Sequence, residues 1–206
     1  KLLIHIEQAA SLSVIPCKGI GVDLGGLTIE DADLQVEVGQ MRDASAYAIY
    51  STGGDNLINN SKIKIAMQAP GNDDMGCMGI NLSGSTSFTI NDTSIAMESL
   101  DTGISFVGKL SISGSALTIK DATEYAVVAG QTEILNGSEL NISSQSGQAL
   151  QAAGQKVTIS HSSVNLVSTQ SSAMFCNDIE IIDSSELAAK GNGVSLFVGN
   201  DTVIRN

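Results

Sequence analysis

A chain of 206 residues that is 42% hydrophobic and only 16% charged can bury a real core, and this excludes the disordered class. Ten Lys plus Arg against 22 Asp plus Glu leave a formal net charge of -12, which excludes a nucleic-acid binder working through a basic surface, because phosphate contacts need those cations. Aromatics are 3% and Trp is absent, so the core must be aliphatic, built from 22 Ile and flanked by 27 Ser.

The chain starts at Lys1 and ends in the strand-like run Thr202-Val203-Ile204-Arg205-Asn206, which reads as a single domain, 1–206, excised or processed from a longer secreted protein. No apolar run approaches a membrane span, so no membrane insertion is expected. Cys17, Cys77 and Cys176 are an odd number and make no disulfide framework. Free thiols, with Cys176 buried, are the expectation, and a Cys17 to Cys77 bridge is the alternative.

Along the chain, one pattern recurs. An anchor Ile or Leu is followed by a small residue at three and by apolar residues at five and seven. Ile29 leads to Ala32, Leu34 and Val36; Ile58 to Ser61, Ile63 and Ile65; Ile90 to Thr93, Ile95 and Met97; Ile112 to Ser115, Leu117 and Ile119. Leu135 leads to Ser138, Leu140 and Ile142; Ile159 to Ser162, Val164 and Leu166; Ile182 to Ser185, Leu187 and Ala189. The inner period of two is that of a pleated strand, and the recurrence every 22 to 32 residues is that of a solenoid. The position two after the anchor holds Asp31, Asn60, Asp92, Gly114, Gly137, His161 and Ser184. Most of these are types that tolerate a left-handed backbone, so this column predicts a stacked corner. The small residue that follows suits the crowded inside of the corner, where its hydroxyl can bond neighbouring backbone.

A third strand precedes each anchor, at Gly19–Val22, Gly79–Leu82, Gly103–Phe106, Ala126–Val128, Leu150–Ala152, Met174–Cys176 and Val194–Leu196, and Gly25, Gly84, Gly108, Gly130, Gly154 and Gly199 mark a second corner. The fold class expected is therefore all-β, a right-handed three-sided parallel β-helix solenoid of about eight coils. The two longest spacings place extra residues at roughly 38 to 48 and 68 to 78, expected as projecting loops.

The Ile-x-x-Ser-x-Leu-x-Ile rhythm followed by Gly-Ile-x-Phe-x-Gly resembles the pectate-lyase-like β-helix superfamily. More narrowly, it resembles secreted bacterial β-helix proteins described as carbohydrate-binding, some of them calcium-associated. The resemblance spans nearly the whole chain and implies a polysaccharide or cell-surface glycan as partner.

A lyase or hydrolase on this fold needs a base with convergent carboxylates. The two arginines, Arg42 and Arg205, join no acidic cluster, Lys62 and Lys64 face out, and no column of Asp or Glu lines a strand face. His5 and His161 have no matched partner, and His161 falls in the corner column. No catalytic residues are assigned. The function expected is a non-catalytic carbohydrate-binding or surface-attachment module, secreted or at a bacterial cell surface; a polysaccharide lyase or hydrolase and a purely structural adhesin stalk are the alternatives. Asp43, Asp55, Asp73 and Asp74 lie in loops of neighbouring coils and form a candidate calcium site, since calcium takes carboxylate and carbonyl oxygens; a solvated acidic loop gives the same clustering. Asn59-Asn60-Ser61, Asn91-Asp92-Thr93 and Asn136-Gly137-Ser138 match glycosylation acceptors, but all three sit at the corner and the repeat explains them. On the strand before each anchor, Val107, Ala129, Ala153, Phe175 and Phe197 are candidates for an outward carbohydrate or partner face. A register shift of one residue would bury the same side chains.

Overall fold

The computed structural model describes residues 2–5, 11–17, 20–22, 25–38, 46–67, 76–152 and 154–205. Among them there is no helix. Every paired strand runs parallel to its neighbours, in three sheets of nine, eight and eight strands. Sheet A includes Leu27–Glu30, Gly54–Asn59, Ser85–Asn91, Lys109–Ser113, Thr132–Leu135 and Lys156–Ser160. Sheet B includes Asp33–Val38, Lys62–Met67, Ser94–Glu98, Ala116–Ala122 and Glu139–Ser144. Sheet C includes Ala46–Ser51, Cys77–Leu82, Thr102–Ser105, Tyr125–Ala129, Leu150–Ala152, Met174–Cys176 and Leu196–Val198. The chain visits A, then B, then C, and each sheet takes every third strand. This defines a three-sided parallel β-solenoid.

Aliphatic columns fill its interior. In sheet A the register joins Ile29, Ile58, Ile90, Ile112, Ile134, Ile159 and Ile181. In sheet B it joins Leu34, Ile63, Ile95, Leu117, Leu140 and Val164. In sheet C it joins Ile49, Ile80, Ile104, Val127, Leu150 and Met174. Branched side chains repeated at one strand spacing pack like on like, which is what stacked pleats reward.

Two anchors read from the sequence are displaced. Leu135 pairs with Ser113, and Ile182 pairs with Ser160, so neither joins the ladder; Ile134 and Ile181 do. The cause is the corner. Most corners turn on one left-handed residue: Asp31, Asn60, Asp92, Gly114 and His161 each have positive φ. The other two use a pair, Asn136 with Gly137 and Asp183 with Ser184. A second left-handed residue adds one position to the corner, so counting back three from the serine stops one residue short of the ladder. The strands Ala46–Ser51 and Cys77–Leu82 also cut into the segments expected to loop at 38 to 48 and 68 to 78, whose residues 39–45 and 68–75 lie outside the described residues.

The corner serines form a continuous chain of hydrogen bonds. The backbone N–H groups of Ala32, Ser61, Thr93, Ser115, Ser138 and Ser162 donate in turn to the hydroxyls of Ser61, Thr93, Ser115, Ser138, Ser162 and Ser185, at 3.1 to 3.3 Å. Each of those hydroxyls donates to a carbonyl of its own corner. Ser61, Thr93 and Ser138, which complete the three glycosylation-like tripeptides, are spent in this ladder. No buried side-chain nitrogen or oxygen among the described residues lacks a partner, which is how a polar column is tolerated inside an aliphatic core.

Candidate functional site

The pleat decides which residues of sheet C face out. Ile49, Ile80, Ile104, Val127, Leu150 and Met174 point in, so the residues beside them point out. The register sets these outward neighbours in one row: Tyr50, Asn81, Ser105, Val128, Gln151, Phe175 and Phe197. One row therefore carries a phenol at one end, amides and a hydroxyl in the middle, and two phenyl rings at the other end.

The rings are ordered against each other. Phe175 and Phe197 stack at 5.2 Å between centroids with 16° between planes, and Phe197 is 50% exposed. Tyr47 and Tyr50 stack at 5.1 Å and 18°. With Asn81, Ser105 and Val107 they border a shallow cleft of about 280 Å³. Tyr125 shares a row with Tyr47 through Met78 and Thr102. Its ring lies over Gly147, where a Cβ would come within 2.6 Å of the ring. The other two aromatics, Phe88 and Phe106, are buried and meet edge to face. All three tyrosines and both phenylalanines outside the core thus belong to sheet C.

The outward face expected from the sequence is redrawn by this geometry. Val107, 75% exposed, and Phe197 face solvent, and Phe175 is half-buried on the outer row. Ala129 does not face out: it is fully buried, because Val127 and Ala129 share the inward parity of their strand and Val128 takes the outward one. Ala153 lies outside the described residues. The two tyrosines of the cleft were missed. The start of their strand, Ala46–Ser51, fell in the loop expected at 38 to 48, although the run Tyr47-Ala48-Ile49-Tyr50 carries a β-forming signal, with buried Ala48 and Ile49 between two rings.

Of the candidate calcium ligands, Asp43, Asp73 and Asp74 lie outside the described residues. Asp55 is exposed on sheet A, where its Oδ1 accepts from Thr86 Oγ1 and Ser87 Oγ, both at 2.7 Å. These bonds, Ser87 first, hold its carboxyl below the usual range. No group of three or more His, Cys, Asp or Glu that could hold a metal occurs among the described residues. His161 occupies the corner, with positive φ and Nδ1 3.3 Å from Ser160 Oγ. Cys77 and Cys176 are free thiols.

Architecture and surface together place the chain among the parallel β-solenoids. Comparison with family models, curated proteins and solved structures gave no significant match.

Proposed function

We propose that this chain is a non-catalytic carbohydrate-binding or surface-attachment module of a secreted bacterial protein, built on a right-handed coil. The observation that carries this reading is the outer row of sheet C, where the rings of Tyr50, Phe175 and Phe197 stand in register with Asn81, Ser105 and Gln151, and Tyr47 stacks on Tyr50. A sugar ring has an apolar face of C–H bonds and a rim of hydroxyls. Exposed aromatic rings accept the first, and amides and hydroxyls, which both donate and accept, satisfy the second. Tyr and Phe lose little side-chain freedom on contact, so such a face binds at low entropic cost. The outer row from Tyr50 to Phe197 holds no carboxylate, imidazole or amine, and its chemistry is that of holding a chain rather than cleaving it.

A polysaccharide laid across the strands meets one outer-row residue about every 4.8 Å. Neutral oligosaccharides of increasing length, titrated into the folded protein, are expected to bind more tightly as they reach from the tyrosine cleft towards the phenylalanine pair. Tyr50→Ala and Phe197→Ala are each expected to weaken that binding with the fold intact. Failure of every neutral and acidic glycan on an array to bind would overturn the reading in favour of a structural stalk, for which the unbroken hydroxyl ladder supplies the stiffness.

A further inference from the structure

The chain contains two Asn-Gly dipeptides, Asn136-Gly137 and Asn192-Gly193, and both are exposed. Asparagine is a thermolabile residue, and a glycine after it has no Cβ to shield its own backbone nitrogen. The fold treats the two pairs differently. Asn136-Gly137 forms a corner of the solenoid. There the Gly137 N–H donates to the His161 carbonyl at 2.6 Å, and Asn136 Nδ2 donates to Ser113 Oγ at 2.9 Å. The backbone nitrogen and the side-chain amide of that pair are both held.

Asn192-Gly193 lies in the turn between the strands Glu186–Lys190 and Leu196–Val198. Among the described residues, neither the Gly193 N–H nor the Asn192 side chain has a hydrogen-bond partner. A Cβ at Gly193 would meet nothing within 4 Å, so the space around it is open to water. The turn itself is fastened. The Asn192 N–H donates to the Ser171 carbonyl at 2.8 Å, and the Gly191 N–H donates to Ser195 Oγ at 3.2 Å. The groups left free are the two that react with each other in an Asn-Gly pair.

We propose that Asn192 is a site of spontaneous covalent modification, with water as the co-reactant. The Gly193 nitrogen gives up its proton to solvent base and attacks Asn192 Cγ. The new N–Cγ bond closes a succinimide, the Cγ–Nδ2 bond breaks, and Nδ2 takes a proton from water and leaves as ammonia. Water then opens the ring, and nothing is oxidised or reduced. Attack at Cγ leaves an aspartate. Attack at the backbone carbonyl carbon leaves an isoaspartate, in which the chain runs through the former side chain. Either product adds a negative charge to a chain of net charge -12. Isoaspartate also inserts a carbon into the backbone between the Ser171 tether and the strand Leu196–Val198, whose Phe197 ends the outer row of sheet C. The site is an ageing device that loosens the edge strand of that face, whatever the face binds.

The test is peptide mapping by mass spectrometry of the folded chain, incubated at mildly alkaline pH, beside the same chain in concentrated urea. In the folded chain, modification at Asn192 is expected to run several-fold faster than at Asn136. In urea the two rates should converge, because both pairs are Asn-Gly and only the fold separates them. Equal rates in the folded chain, or no modification at Asn192, overturn the proposal. Gly193→Ala is expected to slow the reaction at Asn192 several-fold, since a Cβ crowds the attacking nitrogen; an unchanged rate overturns the assigned nucleophile. Hydrogen exchange then separates the added charge from the longer backbone. The purified isoaspartate form should lose protection across Leu196–Val198, whereas Asn192→Asp, with the charge and no extra backbone atom, should keep it. Equal protection in the two overturns the loosening of the edge strand.

Discussion

The hydroxyl of Ser138 accepts a hydrogen bond from the Ser115 backbone N–H at 3.3 Å and donates to the Leu135 carbonyl at 2.6 Å. It therefore ties two successive turns together and closes its own corner. Ser138 is buried, so an alanine there leaves the Ser115 N–H without a partner and without water, while the Leu135 carbonyl keeps only the Gly114 N–H. Ser138→Ala is expected to destabilise the domain by about 1 to 3 kcal/mol. Ser94→Ala, on the exposed face of sheet B, should change stability by less than about 0.5 kcal/mol. Urea denaturation of both variants checks the contrast. Equal midpoints would mean the ladder contributes nothing.

The ladder was legible in the sequence because it uses one residue type at one offset. The corner was legible for a similar reason, since only a few residues tolerate positive φ. The displaced anchors were not. Asn136-Gly137 and Asp183-Ser184 look like single corners with a neighbour, and only the backbone shows both residues left-handed. The sheet C face was half legible. Phe197 and Val107 followed from alternation, whereas Ala129 depended on where the pleat starts after a corner, which a period of two cannot fix. The tyrosine cleft was hidden because the long interval between Ile29 and Ile58 reads as an insertion.

Gly130 tests the close stacking of successive turns at the second corner. A Cβ there would sit 2.5 Å from the Val107 carbonyl oxygen and 2.6 Å from that of Gly108, while the Gly130 N–H donates to Gly108 at 3.0 Å. Both obstacles are backbone, so no side chain can move aside. Gly130→Ala is expected to lower the melting temperature by several degrees and to disturb the Val107 border of the cleft. Gly193→Ala is the comparison, because its Cβ meets nothing within 4 Å and only its positive φ opposes the change. If Gly130→Ala melts no lower than Gly193→Ala, the close approach is not limiting.

Glu180 gives a pH dependence with a definite sign. The hydrogen bond from Lys156 Nζ lowers its pKa most, the charges of Lys156 and Arg205 lower it further, and desolvation and Asp183 oppose them. A carboxyl whose folded pKa is depressed contributes stability above its unfolded value of about 4.3, and loses it as pH falls through the lower folded value. The contribution is small, because the pair is solvent-exposed. In a carboxyl-detected NMR titration, Glu180 is expected to titrate below the normal glutamate range, and Lys156→Met should move it upwards. A Glu180 titration identical in both proteins would show that Lys156 does not hold it.

Cys176 reports the opening of the end of the solenoid nearest the last strands. It is fully buried, with its Sγ 3.9 Å from Met174 Sδ, and its strand pairs with Leu196–Val198 at the edge of sheet C. Burial pushes its thiol up to about 11, and the charge of Asp178 adds to the shift. The nucleophile is the thiolate, so at neutral pH the folded protein offers both a minute thiolate fraction and no access. Cys77 is half-buried, and burial with the nearby Asp101 raises it as well. The core beyond Cys176 is less well covered: Leu187, Ala189, Leu196 and Val198 are only partly buried, and Ile204 is 72% exposed. Strands with few buried contacts open at lower cost than the whole domain. Iodoacetamide labelling followed by peptide mapping should therefore find Cys176 protected in the native protein. It should become reactive at urea concentrations below the main unfolding transition, as the edge strand leaves. Labelling of Cys176 only at the main transition would show that the edge strands unfold with the rest. Full labelling without urea would contradict the burial of Cys176.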